Sequence, residues 1–121
     1  MIIKGSFQVP IFECKVVIVI TDNLLKTLNR YYKKYDEKEL ETEEHGAFFY
    51  SPEKAGSPYH LFFEKYDLSV NTINHEKSHL VEQILIDCRI KPIDEVRSYL
   101  DGFISSKVTL FFKRRKLRLS N

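Results

Sequence analysis

Two histidines four residues apart, with a glutamate after the first, are the residues in this sequence most capable of chemistry. They are His75, Glu76 and His79, in the run HEKSH. Side chains four positions apart on a helix lie on one face, so both imidazoles can bind one metal ion. Glu76 is placed to accept a proton from water at that ion. The run predicts a catalytic zinc site; the alternative is a pair of partly exposed helix histidines beside a surface Glu–Lys pair.

A catalytic zinc ion of this kind needs a third protein ligand. No histidine follows His79, so the candidates are the downstream acids Asp87, Asp94, Glu95 and Asp101. Symmetry about a turn near residues 89–92 favours Asp101 over Glu95 if the two helices form an antiparallel pair. Spacing alone therefore leaves the third ligand open.

Local patterns predict the elements that carry these residues. A β-branched segment over 12–21, with a continuous apolar run at 16–20, predicts a strand covered on both faces. Leucines and tyrosines at helical spacing predict a helix over about 22–36. Ala47–Tyr50 and the stretch from Tyr59 to Phe63 predict two strands, separated by a loop rich in proline and glycine.

The second half predicts two consecutive helices. Ser69 is a helix-start signal for a helix from about Val70 to Cys88, which contains the histidines. Pro92 and the acids after it favour a second helix that continues to about residue 112. The order β-α-β-β-α-α predicts one small α+β domain over residues 1–121, with a short mixed sheet and the histidine helix packed against the following helix.

Two segments resemble a known family. The run NHEKSHLV at 74–81 and the run DEVRSYLDGF at 94–103 resemble the minimal gluzincin zinc metallopeptidases, in particular small single-domain metallopeptidases of phages and prophages and the ImmA/IrrE-type group. The resemblance covers about 59–112. It implies a zincin-like fold, a Zn²⁺ cofactor, His75 and His79 as ligands, Glu76 as catalytic base and Glu95 as third ligand.

The resemblance also implies how a peptide would be cleaved. Zinc would lower the pKa of its water to about 7, and Glu76 would take the proton and return it to the leaving amine. The strand from Tyr59 to Phe63 would be an edge strand beside the zinc helix, and a peptide or protein substrate would pair with its free backbone groups.

The amino-acid composition limits the class of protein to which this chain can belong. The chain has 121 residues, of which 43% are hydrophobic. This favours one folded domain over a disordered chain. No apolar run reaches membrane-spanning length, and the first residues do not resemble a signal peptide. Cys14 and Cys88 do not form a disulfide framework. These features predict a cytoplasmic protein without a membrane span.

The net charge of +2 hides an excess of cations at the C-terminal end. Residues 107–121 contain six Lys or Arg and no acid. We expect the tail at 113–121 to be frayed and solvated; the alternatives are contact with an acidic partner or with nucleic acid.

The sequence is compatible with three functions. The first is a zinc metallopeptidase. The second is a catalytically silent zinc-binding regulatory or interaction protein of phage or prophage origin, and the third is a nucleic-acid-binding module that acts through the basic tail. Glu76 favours catalysis, because zinc binding alone does not need it. His60 is expected on a strand surface and His45 in a solvated acidic loop.

Overall fold

The computed structural model describes residues 2–35, 47–51, 56–91 and 94–120. In those ranges the chain forms four strands and three helices, which confirms the α+β class. The elements are β1 (Ile2–Val9), β2 (Cys14–Thr21), α1 (Leu24–Tyr35), β3 (Ala47–Tyr50), β4 (Tyr59–Glu64), α2 (Val70–Asp87) and α3 (Asp94–Arg114), with a short 3-10 turn at Lys65–Asp67 before α2. The predicted order holds except that β1 precedes it. The expected acidic loop and His45 lie outside the described residues.

The four strands form one mixed sheet in the order β1-β2-β4-β3. β1 and β2 are an antiparallel hairpin, β2 and β4 are parallel, and β3 is antiparallel to β4. In the apolar run of β2, Val16, Ile18 and Ile20 belong to one core cluster and Val19 belongs to another. The prediction that this strand is covered on both faces is confirmed.

Helices cover the two faces of the sheet. α2 and α3 contribute Leu80, Ile84, Leu100 and Ile104 to the larger core, and each of these side chains is fully buried. On the opposite face, α1 packs Leu28 and other apolar side chains against Val19 and Phe62. α2 is therefore held on the sheet through one side only, and its other side faces outward.

β4 lies inside the sheet, so the prediction of an edge strand from Tyr59 to Phe63 is wrong. Its backbone pairs with β2 along the whole strand and with β3 from His60 to Phe63. The physical reason is visible in its side chains: residues 59–63 are all buried, as expected for a strand covered on both faces. The edges of the sheet are β1 and β3.

His60 is also not at the surface. Its side chain is 2% exposed, and Nδ1 lies 3.1 Å from the carbonyl oxygen of Pro58. The ring packs against Tyr31, Tyr50 and Phe62 between the sheet and α1. Alternation along an interior strand places position 60 in the second core, and the ring is held there by aromatic contacts.

The basic tail is docked instead of frayed. α3 continues to Arg114, and the chain then turns back towards the start of α2. The Ser120 backbone N–H donates to the Leu68 carbonyl at 2.7 Å, and the Val70 N–H donates to the Ser120 carbonyl at 3.2 Å. Leu117 packs against the larger core. The backbone of the tail is thus held by these hydrogen bonds and by Leu117, so the prediction of fraying is wrong, while the cationic side chains at 113–116 and 118 are exposed as expected.

Among the described residues, no helix combines the length and the apolar character needed to cross a lipid bilayer.

Candidate metal centre

The two histidines of the motif lie together on the outer side of α2. The helix begins after Ser69, whose side chain accepts a hydrogen bond from the Thr72 backbone N–H at 3.0 Å. His75 and His79 are exposed, and their Nε2 atoms are 3.2 Å apart. Two nitrogens bound to one tetrahedral zinc at about 2.0–2.1 Å would be separated by about 3.3 Å. The pair therefore has the spacing of two ligands of one ion.

The close approach of the two imidazole rings also has an explanation that needs no metal. The ring centroids are 4.8 Å apart with the planes at 84°, and 3.2 Å between two imidazole nitrogens also suits a hydrogen bond. That contact requires one nitrogen to carry a proton and the other to be free of one. Metal binding and this hydrogen bond exclude each other, because the hydrogen bond needs a proton on one Nε2 whereas a shared metal ion needs a lone pair on both.

Glu76 lies where the outer side of α2 meets the core. Its side chain is 9% exposed, and it is grouped along the helix with the buried residues Ile73 and Leu80. Successive helix residues turn by about 100°, so Glu76 is about 60° from His79 around the helix. Its carboxylate has no hydrogen-bond or ion-pair partner among the described residues. No Glu76 oxygen is both fully buried and without a hydrogen-bond partner, so the fold does not isolate this carboxylate from water.

α3 packs on the opposite side of α2 from the histidines. Lys77 donates to Ser105 Oγ at 2.6 Å and lies 3.4 Å from the Asp101 carboxylate. Lys77 is about 160° around the helix from both histidines. The prediction that the histidine helix packs against the following helix is confirmed, but this docking directs α3 away from the imidazole pair.

The candidate third ligands are accordingly dispersed. Glu95 and Asp94 are exposed in the first turn of α3, and Asp101 faces Lys77. Asp87 accepts hydrogen bonds from Tyr59 Oη at 2.5 Å and Gln83 Nε2 at 2.7 Å. Within the part of the chain that is described, no three His, Cys, Asp or Glu side chains form a group that could hold a metal ion. The structure brings His75 and His79 together with Glu76 beside them and does not add Glu95.

Peptide hydrolysis also needs a donor to the developing oxyanion, and the sequence offers Tyr66, Tyr99 and Arg97 as candidates. Tyr66 is 79% exposed and Tyr99 is 45% exposed. The Arg97 guanidinium donates to Glu82 at 2.5 Å, which links α3 to α2 instead of leaving the cation free. Among the described residues, no hydrogen bond or ring contact joins any of these side chains to either histidine.

A second titratable cluster lies at the far end of α2. Burial, and then the hydrogen bond to Asp87, raise the pKa of the Tyr59 hydroxyl well above its ordinary value. Burial, and then the neighbouring Cys88, raise the pKa of the Cys14 thiol to about 11. These groups are therefore neutral at physiological pH and fasten the end of α2 to the sheet, so they are structural contacts.

No protein-family model, curated protein or solved structure matches this chain.

Proposed function

We propose that this protein is a zinc-dependent metallopeptidase whose metal is anchored by His75 and His79 and whose general base is Glu76. The observation that carries the proposal is the 3.2 Å separation of the two Nε2 atoms, with Glu76 next to His75 on the same helix and without a described partner. A structural histidine pair does not need a carboxylate beside it. A catalytic metal ion does, because the water bound to it must give up a proton to a nearby base.

Each residue of the chain has a defined task in this proposal. The metal would supply Lewis-acid activation of water and of the scissile carbonyl. His75 and His79 hold it from one helical face. Glu76 accepts a proton from the attacking water and returns it to the amine that leaves. Glu95 stays a prediction as the third ligand, and meeting the histidines would require α3 to shift from its packing on Lys77.

Metal binding is tested with the purified chain, stripped of metal and then titrated with Zn²⁺. We expect one equivalent bound, and removal of either imidazole by His75→Ala or His79→Ala should weaken binding at least about tenfold, because loss of one of few ligands removes a large share of the affinity. Ser78→Ala is the matched control, since Ser78 is exposed on the same helix between the two histidines. Equal zinc binding by the control and both histidine variants would disprove the metal site.

Catalysis is tested with Glu76→Gln. A diverse pool of peptides is incubated with the zinc-loaded protein, and cleavage is followed by mass spectrometry. We expect wild type to cleave a subset of the pool and Glu76→Gln to keep its zinc while cleavage falls by about 10² or more, in the range typical of general-base removal. Cleavage that is unchanged in Glu76→Gln would contradict the assigned role.

A catalytically silent zinc-binding regulatory protein is the second candidate. It is favoured by one observation, that no third donor joins the histidines among the described residues. It predicts stoichiometric zinc binding without cleavage of any peptide in the pool. The two candidates are thus separated by the same pair of experiments.

A further inference from the structure

A concave pocket lies between β1 and the C-terminal half of α3, away from the histidine pair. Its volume is about 340 Å³, which lies within the range of small binding sites. Gly5, Ser6 and Phe7 of β1 form one wall, and Lys107, Arg114 and Arg115 line the other. Three cationic side chains therefore converge on one cavity.

Close packing of α3 on β1 builds the floor of this pocket. A Cβ atom at Gly5 would clash with the Phe111 ring, so glycine is what allows the aromatic ring to lie directly on the strand. Arg115 donates to the Lys4 carbonyl at 3.0 Å, and its guanidinium lies 5.7 Å from the centre of the Phe111 ring. Arg115 is thus held in place by the fold before any ligand arrives.

The pocket's positive charge is not neutralised within the described chain. Residues 2–12 and 102–120, which supply most of its walls, contain no Asp or Glu. Lys107, Arg114 and Arg115 have no ion pair with any described residue. The helix dipole accounts for cations in the last turn only, and Lys107 is about two turns before the end of α3. Lys107 lies 5.5 Å from the centre of the Phe103 ring and Arg115 bonds to a backbone carbonyl, but neither contact supplies a negative charge. The pocket therefore keeps a positive potential that suits an anionic ligand.

We propose that this pocket binds the phosphodiester backbone of a single-stranded nucleic acid. Arginine guanidinium groups match phosphate oxygens in a bidentate geometry, and Lys107 adds a third positive charge. Phe7 and Phe111 provide the apolar and aromatic surface that accompanies backbone contacts in single-strand sites. The site is concave, whereas reading a duplex requires an element that projects into a groove. This inference is independent of the histidine pair.

The test measures the anisotropy of a fluorescent 12-nucleotide oligothymidylate titrated with the full chain at several salt concentrations. We expect a log–log slope of affinity against salt of about −2, for three neutralised phosphates on a single strand. Lys107→Glu combined with Arg114→Glu should weaken binding at least tenfold at low salt.

The matched control is Lys26→Glu combined with Arg30→Glu on α1, two exposed cations on a different surface. It makes the same change in net charge and should change the affinity less than twofold. Circular dichroism checks that each variant folds. If Lys107→Glu combined with Arg114→Glu does not fold, Lys107→Gln combined with Arg114→Gln replaces it. This neutral variant should weaken binding at least about threefold.

Three further probes decide between ligands. Oligothymidylate should bind more tightly than a 12-base-pair duplex. ATP should not displace bound oligothymidylate when the phosphate concentrations of the two are equal. Polyglutamate of equal charge should not displace it when the carboxylate concentration equals the phosphate concentration of the oligonucleotide. Tighter duplex binding, displacement by either competitor, or an equal loss of affinity in the pocket and α1 variants would each overturn the proposal.

Discussion

Glu76 is the residue on which the functional interpretation depends most. It occupies a position on α2 between buried Ile73 and Leu80, where an apolar side chain would normally be expected. A charged side chain at a position that is 9% exposed buries less apolar surface than a leucine would, and it is a choice that proteins make at functional sites.

Replacing Glu76 by leucine should therefore stabilise the metal-free protein. We expect the free energy of unfolding to rise by about 1 kcal/mol, because a leucine at this 9% exposed position would bury more apolar surface beside Ile73 and Leu80. Urea denaturation of the metal-free protein measures it. Ser78→Leu, at an exposed position of the same helix, should give no comparable gain, and a loss of stability in Glu76→Leu would mean that the carboxylate has a favourable interaction in the fold.

The packing of the helices determines which side chains can contact one another. α2 offers two opposite sides, one carrying the histidines and the other carrying Lys77, and α3 occupies the second. Lys77 is 12% exposed, and its ammonium reaches both Ser105 and Asp101, so the polar contacts fix how the two helices dock. This docking is why Glu95, which follows His79 closely in sequence, does not lie beside it in space.

The Lys77–Ser105 hydrogen bond should have a measurable effect on stability. Ser105→Ala removes the acceptor of a hydrogen bond from a largely buried ammonium, and we expect the free energy of unfolding to fall by about 1–2 kcal/mol. Ser106→Ala is the matched control one residue away, because Ser106 is exposed on the same helix. Equal urea midpoints for the two variants would show that this contact does not hold α3 in place.

On the scale of the whole molecule, segments from the two ends of the chain pack side by side. β1 supplies one wall of the basic pocket and α3 the other, and the segment after α3 returns to form hydrogen bonds with Leu68 and with Val70, the first residue of α2. At the opposite end of the sheet, Tyr59 and Asp87 fasten the end of α2. Global stability thus depends on neutral groups buried near Asp87.

Stability should fall in alkaline solution because of these groups. The pKa of Cys14 rises from 9.0 to about 11 on folding, so above pH 9 the unfolded chain releases this proton while the folded chain retains it. The contribution is fully present below pH 9 and is lost as the pH approaches 11. Tyr59 acts in the same direction from pH 10 upward.

Urea denaturation of the wild type and Cys14→Ser at pH 8 and at pH 10.5, under reducing conditions, measures this effect. We expect the wild type to lose more stability than Cys14→Ser between the two pH values, because serine does not titrate there. Tyr59→Phe separates the contribution of the hydroxyl. The same loss of stability in all three proteins would contradict the burial of these groups in their neutral forms.

The local part of this structure could be predicted from the sequence alone. The apolar run of β2 and the cap residue Ser69 act on their immediate neighbours, and the four-residue spacing of His75 and His79 places two imidazoles on one helical face in any helix. β1 was missed because Gly5 interrupts the alternation of Ile3, Phe7 and Val9. That alternation was nevertheless a signal for a strand, since it matches the observed burial of every second residue.

The long-range part was decided by the tertiary structure. Whether β4 is an edge or an interior strand depends on which strands pair with it, and β2 and β3 come from separate parts of the chain. Which side of α2 receives α3 depends on the fit of Lys77 to Ser105 and Asp101, and the basic pocket requires β1 to meet a helix about 100 residues later. Sequence patterns report interactions between neighbours along the chain, whereas these contacts are selected by the packing of the whole core.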